Sequence, residues 1–380
     1  MKIAFVLTED WFFCSHFMDR ALAAKEAGHD VVVIVHTNKH AEEIRSKKLR
    51  LIPLCLDRRS VNPFKELHVV WQIYRAYLAE RPDIVHHVAL KPVLYGTIAA
   101  KLAGIKRIVN APVGMGYIFT SQSFKASFLR LLVASGLRAL LNPHGSKVIF
   151  ENKDDLENLI AQGYVRRGDA VLIRGAGIDT DFYRPSPEPE GTPVVVLTAR
   201  MLWDKGVGEF VEAARLLRAK GVKARFLLVG APDTLNPSTI PEEKLRQWKA
   251  SGDVEVLGFQ SDIRRIIAGS HIVCLPSYRE GLPKSLLEAL ACGKPVVTTD
   301  VSGCREVVRD GVNGLLVPAR NAGALAAALE KLLGSPEERA RMGQAGRLMA
   351  EEEFDKRHVI AETLRVYNAL ARRAAKEPDK

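Results

Sequence analysis

The sequence has few cysteines, and their arrangement excludes two classes of cross-linked protein. Only five of its 380 residues are cysteine, and no two of them form a Cys-x-x-Cys pair. An odd number without paired spacing argues against a disulfide framework and against a structural zinc site. The pattern is typical of a protein of the reducing cytosol.

Long apolar runs are also missing. No stretch approaches the roughly 18 apolar residues that a membrane-spanning helix needs. Glu9 and Asp10 interrupt the apolar N-terminal segment before it could act as a signal peptide. We therefore expect a cytoplasmic protein that does not cross a membrane.

The sequence lacks the motifs of two common cofactor classes. No Gly-x-Gly-x-x-Gly follows a predicted strand, because the segment "GVGEFV" (206–211) lacks the third glycine. This disfavours a dinucleotide-dependent oxidoreductase. No histidine cluster with metal-ligand spacing is visible, so we expect neither a cofactor nor a metal.

Negative charge is scarce in the N-terminal part of the chain. The formal net charge is +11 at pH 7, of which residues 1–150 contribute +10 and residues 151–380 contribute +1. The expected neighbour of the N-terminal part is a phosphate-rich surface, either lipid headgroups or nucleic acid.

What the sequence does contain is a regular alternation of two kinds of segment. Short β-branched runs such as "DVVVIV" (30–35) alternate with longer amphipathic segments, which predicts parallel sheets covered by helices on both faces. Residues 183–193 include four prolines and are typical of a linker. We therefore predict an α/β protein with two domains, 1–182 and 190–352. A final helix, 355–375, is expected to pack back on the first domain.

One segment of the second domain combines a helix start with two glutamates. In "SYREGLPKSLLEALACGKPVV" (277–297), Glu280 precedes the predicted helix and Glu288 lies inside it. The backbone amides at 281–285 form an anion site that the helix dipole strengthens. Ionised glutamates accept hydrogen bonds from hydroxyls, so the segment fits a diphosphate with a polyol at each end. The alternative is that both glutamates are solvated surface charges, with Glu288 near Lys284.

Two cations in "TARMLWDKGVGEF" (198–210) favour the ligand-binding interpretation. Arg200 ends the first strand of the second domain, and Lys205 starts the next helix, where the dipole disfavours a cation without an anionic partner. Together they suit a diphosphate and would stabilise a departing phosphate. The alternative is that they pair with Asp204 or Glu209.

These residues resemble the signature of the family 4 glycosyltransferases, retaining enzymes of the GT-B fold. The resemblance extends over "GAGIDTDFYRP" (175–185), "VLGFQSDI" (256–263), "IVCLPSYREGLPKSLLEALACGKPVVTTD" (272–300) and "SGCREVVRDGVNGLLVP" (302–318). It implies two Rossmann-like parallel-sheet domains facing each other across a cleft, with the nucleotide sugar bound by the second domain and the acceptor by the first.

The resemblance also implies roles for individual residues. Arg200 and Lys205 would hold the nucleotide diphosphate, Glu288 the ribose hydroxyls, and Glu280 the transferred sugar, with Arg200, Lys205 and Glu280 as the catalytic set. Ser302 and Gly303 would line the same pocket. The other implied donor-binding residues are Gly258, Phe259, Ile263, Gly281, Leu282, Pro283 and Lys284.

The first domain resembles a narrower group, the bacterial enzymes of O-antigen and capsule polysaccharide biosynthesis. The segments that carry this are "TEDWFFCSHF" (8–17), "VHHVALKPVLYG" (85–96) and "APVGMGYIFT" (111–120). Two features of many family members are absent: a Gly-Gly pair after the first strand and a histidine near position 113.

Polar residues of the first domain are candidates for the acceptor side: Asp10, His16, His87 and Lys91. His16 is placed at the start of a helix. His86 and His87 lie at a strand end and point to opposite faces, so at most one faces the cleft. The apolar and basic helix 123–141 is a candidate membrane-docking face, which predicts peripheral association with the inner face of the cell membrane.

The sequence therefore predicts a retaining glycosyltransferase. Its donor would be a nucleotide-diphosphate hexose or N-acetylhexosamine, with UDP as the expected nucleotide. Its acceptor would be a saccharide linked to polyprenyl diphosphate or another cell-surface glycan. An alternative is a nucleotide-sugar epimerase of the same fold, which would convert the donor without an acceptor. A nucleic-acid-binding protein would explain the charge but not the paired glutamates, so nucleic acid is not an expected partner.

Overall fold

The structure describes residues 1–113 and 134–376 of the chain, which divides into two compact units. The computed structural model gives side chains up to residue 372. One unit comprises Met1–Ala176 with Arg357–Lys380, and the other comprises Gly177–Lys356. The boundary precedes the proline-rich segment that sequence analysis took as the linker.

The first unit contains a seven-stranded sheet in which every strand pair is parallel, with the order β3-β2-β1-β4-β5-β6-β7. Its strands are β1 (Lys2–Leu7), β2 (Asp30–Val35), β3 (Arg50–Pro53), β4 (Ile84–Val88), β5 (Ile108–Ala111), β6 (Lys147–Phe150) and β7 (Ala170–Leu172). Its helices are α1 (Asp10–His16), α2 (Met18–Glu26), α3 (Ala41–Ser46), α4 (Pro63–Glu80), α5 (Leu90–Leu102), α6 (Lys153–Ala161) and the C-terminal helix described below. Residues 134–140 are also helical.

Local sequence explains where these elements begin and end. Strand β4 is apolar apart from two histidines and is buried along its whole length, as a sheet covered on both faces requires. Helix α4 begins at Pro63, and its cap residue Asn62 accepts hydrogen bonds from the amides of Phe64 and Lys65. It ends at Arg81, whose φ of 48° is left-handed and stops the helix.

The C-terminal helix α14 (Lys356–Lys376) packs in the core of the first unit. Val359, Val366 and Leu370 belong to the same apolar cluster as the strand residues of β1 and β4. The Tyr367 hydroxyl lies 2.7 Å from His86 Nδ1. The last helix thus completes a core built from the start of the chain.

The second unit contains a six-stranded parallel sheet in the order β10-β9-β8-β11-β12-β13. Its strands are β8 (Val194–Thr198), β9 (Arg225–Val229), β10 (Glu255–Gly258), β11 (Ile272–Leu275), β12 (Val296–Thr299) and β13 (Gly314–Val317). Its helices are α7 (Val207–Ala219), α8 (Glu242–Ala250), α9 (Ile263–Ala268), α10 (Lys284–Ala291), α11 (Ser302–Val307), α12 (Ala322–Leu333) and α13 (Pro336–Glu353). Both sheets place all their carboxyl ends at one edge, and ligands of open α/β sheets bind at that edge.

The segment predicted as a linker, 183–193, and the residues just before it lie in the second unit. The Ile178 amide donates to Phe354 O over 2.8 Å, and the Lys356 amide donates to Ile178 O over 2.9 Å. Arg339 forms a two-bond ion pair with Glu188. Residues 177–182, which sequence analysis placed in the first domain, therefore lie in the second unit.

Candidate functional site

The carboxyl edge of the second sheet gathers the charged residues singled out in the sequence. The loops that follow the neighbouring strands β9, β8 and β11 carry Asp233, Arg200 and Glu280, respectively, and the loop after β12 leads to Ser302 at the start of α11. Because the strands are parallel, these loops leave the sheet side by side. The topology thus brings together residues that are far apart in the chain.

Lys205 and Glu280 form an ion pair at this edge. Lys205 Nζ donates to Glu280 Oε1 over 2.5 Å, and the Ser277 hydroxyl donates to the same oxygen over 2.6 Å. Their side chains are 20% and 10% exposed. The ammonium group has three donors, so the ion pair with Glu280 leaves it able to bind a second anion.

Lys205 lies in a short 3-10 helix and not at the start of α7, which corrects the sequence expectation. It ends the 3-10 helix Trp203–Lys205, and α7 starts after Gly206. Gly206 has a φ of 69°, and a Cβ there would lie 2.0 Å from Pro276 O. This close approach of glycine to the exit of β11 holds the lysine next to the loop of Glu280.

Arg200 pairs with a residue that sequence analysis missed. Arg200 Nη1 donates to Asp233 Oδ2 over 2.6 Å, and the Arg200 side chain is 40% exposed. The candidate partners named from the sequence make other contacts: the Tyr278 hydroxyl donates to Glu209, and the Tyr278 amide donates to Asp204 O. The position of Asp233 after β9, adjacent to β8, is the topological signal that would have identified it.

Helix α10 begins at this edge and is held there by a close backbone contact. Pro283 is the extended cap residue, and the helix starts directly after it at Lys284. A Cβ on Gly303, in the first turn of α11, would lie 2.4 Å from Gly281 O and 2.7 Å from Glu280 O. Only glycine permits this contact, which fixes the loop of Glu280, Gly281 and Leu282 against α11.

Glu288 is a buried carboxyl and not a solvated surface charge. It is 8% exposed, and the Tyr183 hydroxyl donates to its Oε1 over 3.1 Å. Burial raises the pKa of Glu288 above its usual value, while the charge of Lys284 and the hydrogen bond from Tyr183 oppose that shift. Keeping such a group in the helix costs stability, which is typical of a functional position. Sequence analysis missed Tyr183 because it lies in the segment taken as a linker.

Three further residues implied as donor-binding, Gly258, Phe259 and Ile263, lie at β10, one strand further out from β9. Gly258 ends β10 with a φ of 69°, and its carbonyl accepts a hydrogen bond from the Gly230 amide. Phe259 follows and is 75% exposed. Ile263 starts α9, whose cap Asp262 accepts from the Arg265 amide.

The structure corrects the placement of His87 on the acceptor side. His87 is fully buried, and its Nδ1 and Nε2 lie 2.8 Å from Asn110 Oδ1 and 2.8 Å from the Tyr77 hydroxyl. Burial lowers its pKa to about 4. Both ring nitrogens are engaged inside the core, so His87 holds strand and helices together and is not an acceptor contact.

Lys91 and Asp10 bind backbone groups of their own unit. Lys91 Nζ donates to Asp57 O over 2.8 Å and to Ser60 O over 2.6 Å, and it forms an ion pair with Glu66 over 3.0 Å. All three ammonium donors are thus used within the unit. Lys91 therefore stabilises a loop instead of presenting its charge to an acceptor.

Asp10 is completely buried at the start of α1. Its Oδ2 accepts from the amides of Asn38 and His40 over 2.5 Å and 3.0 Å, and its Oδ1 accepts from the Trp11 amide over 2.8 Å. It links the exits of β1 and β2. His16 ends α1 instead of starting a helix, and its ring stacks on Phe12 at 4.3 Å.

One group among the described residues could hold a metal ion. Cys14, His40 and Glu43 have ligand atoms within 4.8 Å of one another. Burial and the Glu43 carboxylate raise the pKa of the Cys14 thiol to about 12, which disfavours the thiolate that a metal binds. The spacing of these residues in the sequence did not reveal this group, which lies in the first unit.

The candidate membrane helix 123–141 lies mainly outside the described residues. In its described part, Leu137 and Leu141 are fully buried in the first unit, so Leu141 is not part of an exposed face. Throughout the ranges that the structure describes, no helix has the length and apolar content to cross a membrane.

Both halves of the chain match known protein families. Residues 179–349 match the family described as "Glycosyl transferases group 1", and residues 2–152 match the family described as "Glycosyl transferase 4-like". The first match includes every charged residue of the carboxyl edge described above.

Curated relatives and solved structures agree with these matches. The chain is 31% identical over 362 residues to the N,N'-diacetylbacillosaminyl-diphospho-undecaprenol alpha-1,3-N-acetylgalactosaminyltransferase of Campylobacter jejuni, covering 92% of this chain and 93% of the relative. It is 23% identical to the capsular polysaccharide biosynthesis glycosyltransferase CapM of Staphylococcus aureus, covering 90% of each chain. The structure of HepE from Anabaena in complex with UDP aligns with a TM-score of 0.78 at 19% identity, covering 97% of this chain and 100% of that one.

Proposed function

This chain belongs to the group 1 glycosyl transferases and is a glycosyltransferase of the GT-B fold, and from that premise we propose its reaction. It transfers a hexose or N-acetylhexosamine from a UDP-linked donor to a saccharide carried on polyprenyl diphosphate. The anomeric configuration of the transferred sugar is retained.

The observation that carries this proposal is the set of contacts at the carboxyl edge of the second sheet. Lys205 lies 2.5 Å from Glu280, Arg200 lies 2.6 Å from Asp233, and α10 starts beside them. Two cations and a helix N-terminus suit a diphosphate. Their carboxylate partners keep the cations oriented before the donor binds.

Charge stabilisation on the leaving group is the main catalytic contribution in this proposal. The bond between the anomeric carbon and the diphosphate oxygen breaks, and the acceptor oxygen bonds to that carbon. The acceptor hydroxyl proton leaves with the diphosphate. Arg200, Lys205 and the backbone N–H groups of the loop and helix start stabilise the negative charge that develops on the diphosphate. These N–H groups belong to Gly281, Leu282, Lys284 and Ser285.

The two glutamates divide the remaining recognition between them. Glu288 has one oxygen bound by the Tyr183 hydroxyl, and its carboxyl accepts from the ribose hydroxyls. Glu280 accepts from hydroxyls of the transferred sugar, and its contacts with Lys205 and Ser277 fix its orientation. A carboxylate that is held in place before binding loses less conformational freedom when the sugar arrives.

The relatives support the choice of substrates. The Campylobacter jejuni enzyme is named for an undecaprenol diphosphate acceptor and for transfer of N-acetylgalactosamine. The Anabaena structure contains UDP. A lipid-linked acceptor in turn supports a location at the inner face of the cell membrane.

We also propose that transfer needs no metal ion. The guanidinium of Arg200 and the ammonium of Lys205 supply the positive charge that a divalent cation would otherwise provide. Treatment with a chelator is expected to leave the transfer rate unchanged. A rate that falls with chelation and recovers with added metal would contradict this part of the proposal.

Mass spectrometry of reaction products tests the proposed function. The protein is mixed with a panel of UDP sugars and undecaprenyl-diphosphate-linked acceptors, and an acceptor heavier by one sugar is expected together with UDP. Conversion of the UDP sugar without an acceptor would instead support the epimerase.

A matched pair of arginine variants tests the site. Arg200→Ala is expected to abolish transfer with little change in melting temperature. Arg225→Ala removes an arginine of the same sheet that pairs with Glu255 over 2.7 Å, and it should keep transfer. Wild-type turnover in Arg200→Ala would show that the site assignment is wrong.

A further inference from the structure

Helix α4 of the first unit has two apolar faces, and only one of them is in the core. One face is buried in an apolar cluster with residues of β1, β2 and β4, and its members include Val69, Val70, Ile73 and Tyr77. On the other side of the helix are four large apolar side chains in contact with solvent: Phe64 at 83%, Leu67 at 67%, Trp71 at 52% and Leu78 at 46% exposed.

The four exposed side chains form one continuous stripe. At about 100° per residue, they fall within roughly 60° of one another around the helix axis. From Phe64 to Leu78 the stripe is about 21 Å long at 1.5 Å per residue. Val61, two residues before the helix, is also 73% exposed. A helix with apolar residues on opposite faces is expected to bury both of them.

The charges beside the stripe are positive. Arg75 is exposed about 20° from the edge of the stripe, and its guanidinium lies 5.5 Å from the centre of the Trp71 ring. Lys65 is exposed further around the helix, about 100° from Phe64. The acids of α4 face elsewhere: Glu80 is buried and paired with Lys2 and Arg50, and Glu66 is paired with Lys91. The stripe therefore has a basic border.

No comparable stripe occurs on the other described helices. The exposed large apolar residues of the second unit are spread over its surface, for example Leu216 on α7 and Leu348 on α13. Single exposed apolar residues are ordinary on protein surfaces, whereas four along one helix face mark an interaction surface.

The geometry points to the exposed face of α4 as the surface that docks on an anionic lipid monolayer. We infer that Phe64, Leu67, Trp71 and Leu78 insert among the acyl chains while Lys65 and Arg75 contact lipid phosphates. An amphipathic helix with basic borders lies in the membrane interface in this way. The inference rests on the proposed function in one respect, because a polyprenyl-linked acceptor is itself located in that membrane.

Charge decides between a lipid surface and a second copy of the chain. Residues 1–150 carry a formal charge of +10, so two copies meeting through the same face would bring like charges together. An anionic monolayer complements both the apolar stripe and its basic border. The lipid surface is therefore the occupant that the structure favours.

Vesicle sedimentation tests the inference on the full chain. Wild type is mixed with vesicles of phosphatidylglycerol and phosphatidylcholine, or of phosphatidylcholine alone, and preferential binding to the anionic vesicles is expected. The double variant Phe64→Ser with Trp71→Ser should bind at least about tenfold more weakly, because each loses the insertion of an aromatic side chain. Lys65→Glu with Arg75→Glu should also weaken binding, and added salt should reduce wild-type binding.

Leu102→Ser is the matched control. Leu102 is 66% exposed at the end of α5 in the same unit but is not part of the stripe, so this variant should bind vesicles as wild type does. Equal vesicle binding by wild type and the Phe64 and Trp71 variant would overturn the inference. So would a wild-type dimer that this variant converts to a monomer while vesicle binding stays unchanged.

A water-soluble acceptor analogue separates this inference from the proposed function. The stripe variant should retain transfer to that analogue without membranes, because no residue of the donor site is altered. Vesicle binding that depends on the stripe, without sugar transfer by either protein, would uphold the docking surface and contradict the proposed function.

Discussion

The carboxyl edges of the two sheets carry polar residues that are used in different ways. In the second unit, Lys205 and Glu280 pair at the edge while keeping 20% and 10% of their side chains exposed. In the first unit, Asp10 is completely buried and bound to three backbone amides. The same strand topology thus gives a charged site in one unit and, in the other, loops held together by hydrogen bonds to a buried carboxylate.

The largest expected effect comes from removing the lysine of the second edge. Lys205→Met should lower kcat/KM for sugar transfer by about 10² to 10³, because it removes a charge that stabilises the leaving diphosphate. Steady-state kinetics measure the loss, and a thermal melt close to that of wild type shows that the fold is intact. An unchanged kcat/KM would show that Lys205 does not act in the donor site.

Asp10→Ala tests the structural role of the corresponding edge of the first unit. It should lower the free energy of unfolding by roughly 3 kcal/mol, because the backbone amides of Trp11, Asn38 and His40 lose the buried carboxylate that accepts from them. Urea denaturation measures this loss. The folded fraction should keep wild-type affinity for UDP. If the variant is as stable as wild type but impaired in transfer, Asp10 would instead be an acceptor-side residue.

Lys91→Met is the counterpart of Lys205→Met in the first unit. It should cost about 1 to 2 kcal/mol of unfolding free energy, since the half-buried Glu66 loses its ion pair and the loop at Asp57 loses a donor. Per folded molecule, kcat/KM should remain near that of wild type. A large loss of transfer at unchanged stability would show that the two edges are not used differently.

The smallest expected effect is a gain of stability in Glu288→Gln. Burial raises the pKa of Glu288, so the folded protein holds this proton more tightly than the unfolded chain does. The contribution of Glu288 to stability is therefore complete below its ordinary pKa and is lost as pH rises through the folded-state pKa.

Melting temperatures over a pH series measure this effect. Glu288→Gln should match wild type at acid pH and melt higher at pH 8, since the amide needs no ionisation and still accepts from the Tyr183 hydroxyl. It should also bind UDP more weakly. A variant that melts lower than wild type at pH 8 would contradict the assignment of Glu288 as a carboxyl whose burial costs stability.

The sequence was sufficient to predict the architecture because both sheets are buried on both faces. In the runs "DVVVIV" (30–35) and "VVVLTA" (194–199), all the positions that the sheet buries are apolar except Thr198, and the actual strands Asp30–Val35 and Val194–Thr198 lie within them. Strand β7 (Ala170–Leu172) was missed, since its three residues are only half-buried and too short for a pattern. A long apolar run therefore identifies a strand in the sequence more clearly than the short segment of an edge strand does.

Sequence was less informative about side-chain partners. Arg200, Lys205 and Glu280 were located by their motifs, but Asp233 and Ser277 become their partners only through the order of the strands. His87 looked accessible at a strand end and is in fact enclosed by Tyr77 and Asn110. Partners depend on tertiary packing, which the local pattern around a residue does not encode.

Isothermal titration with UDP tests the central claim most directly, because it reports the donor site without a known acceptor. Wild type should bind UDP, Arg200→Ala and Lys205→Met should bind at least about tenfold more weakly, and Arg225→Ala should bind as wild type does. Equal UDP affinity in wild type, Arg200→Ala and Lys205→Met would contradict the placement of the nucleotide diphosphate at the carboxyl edge of the second sheet.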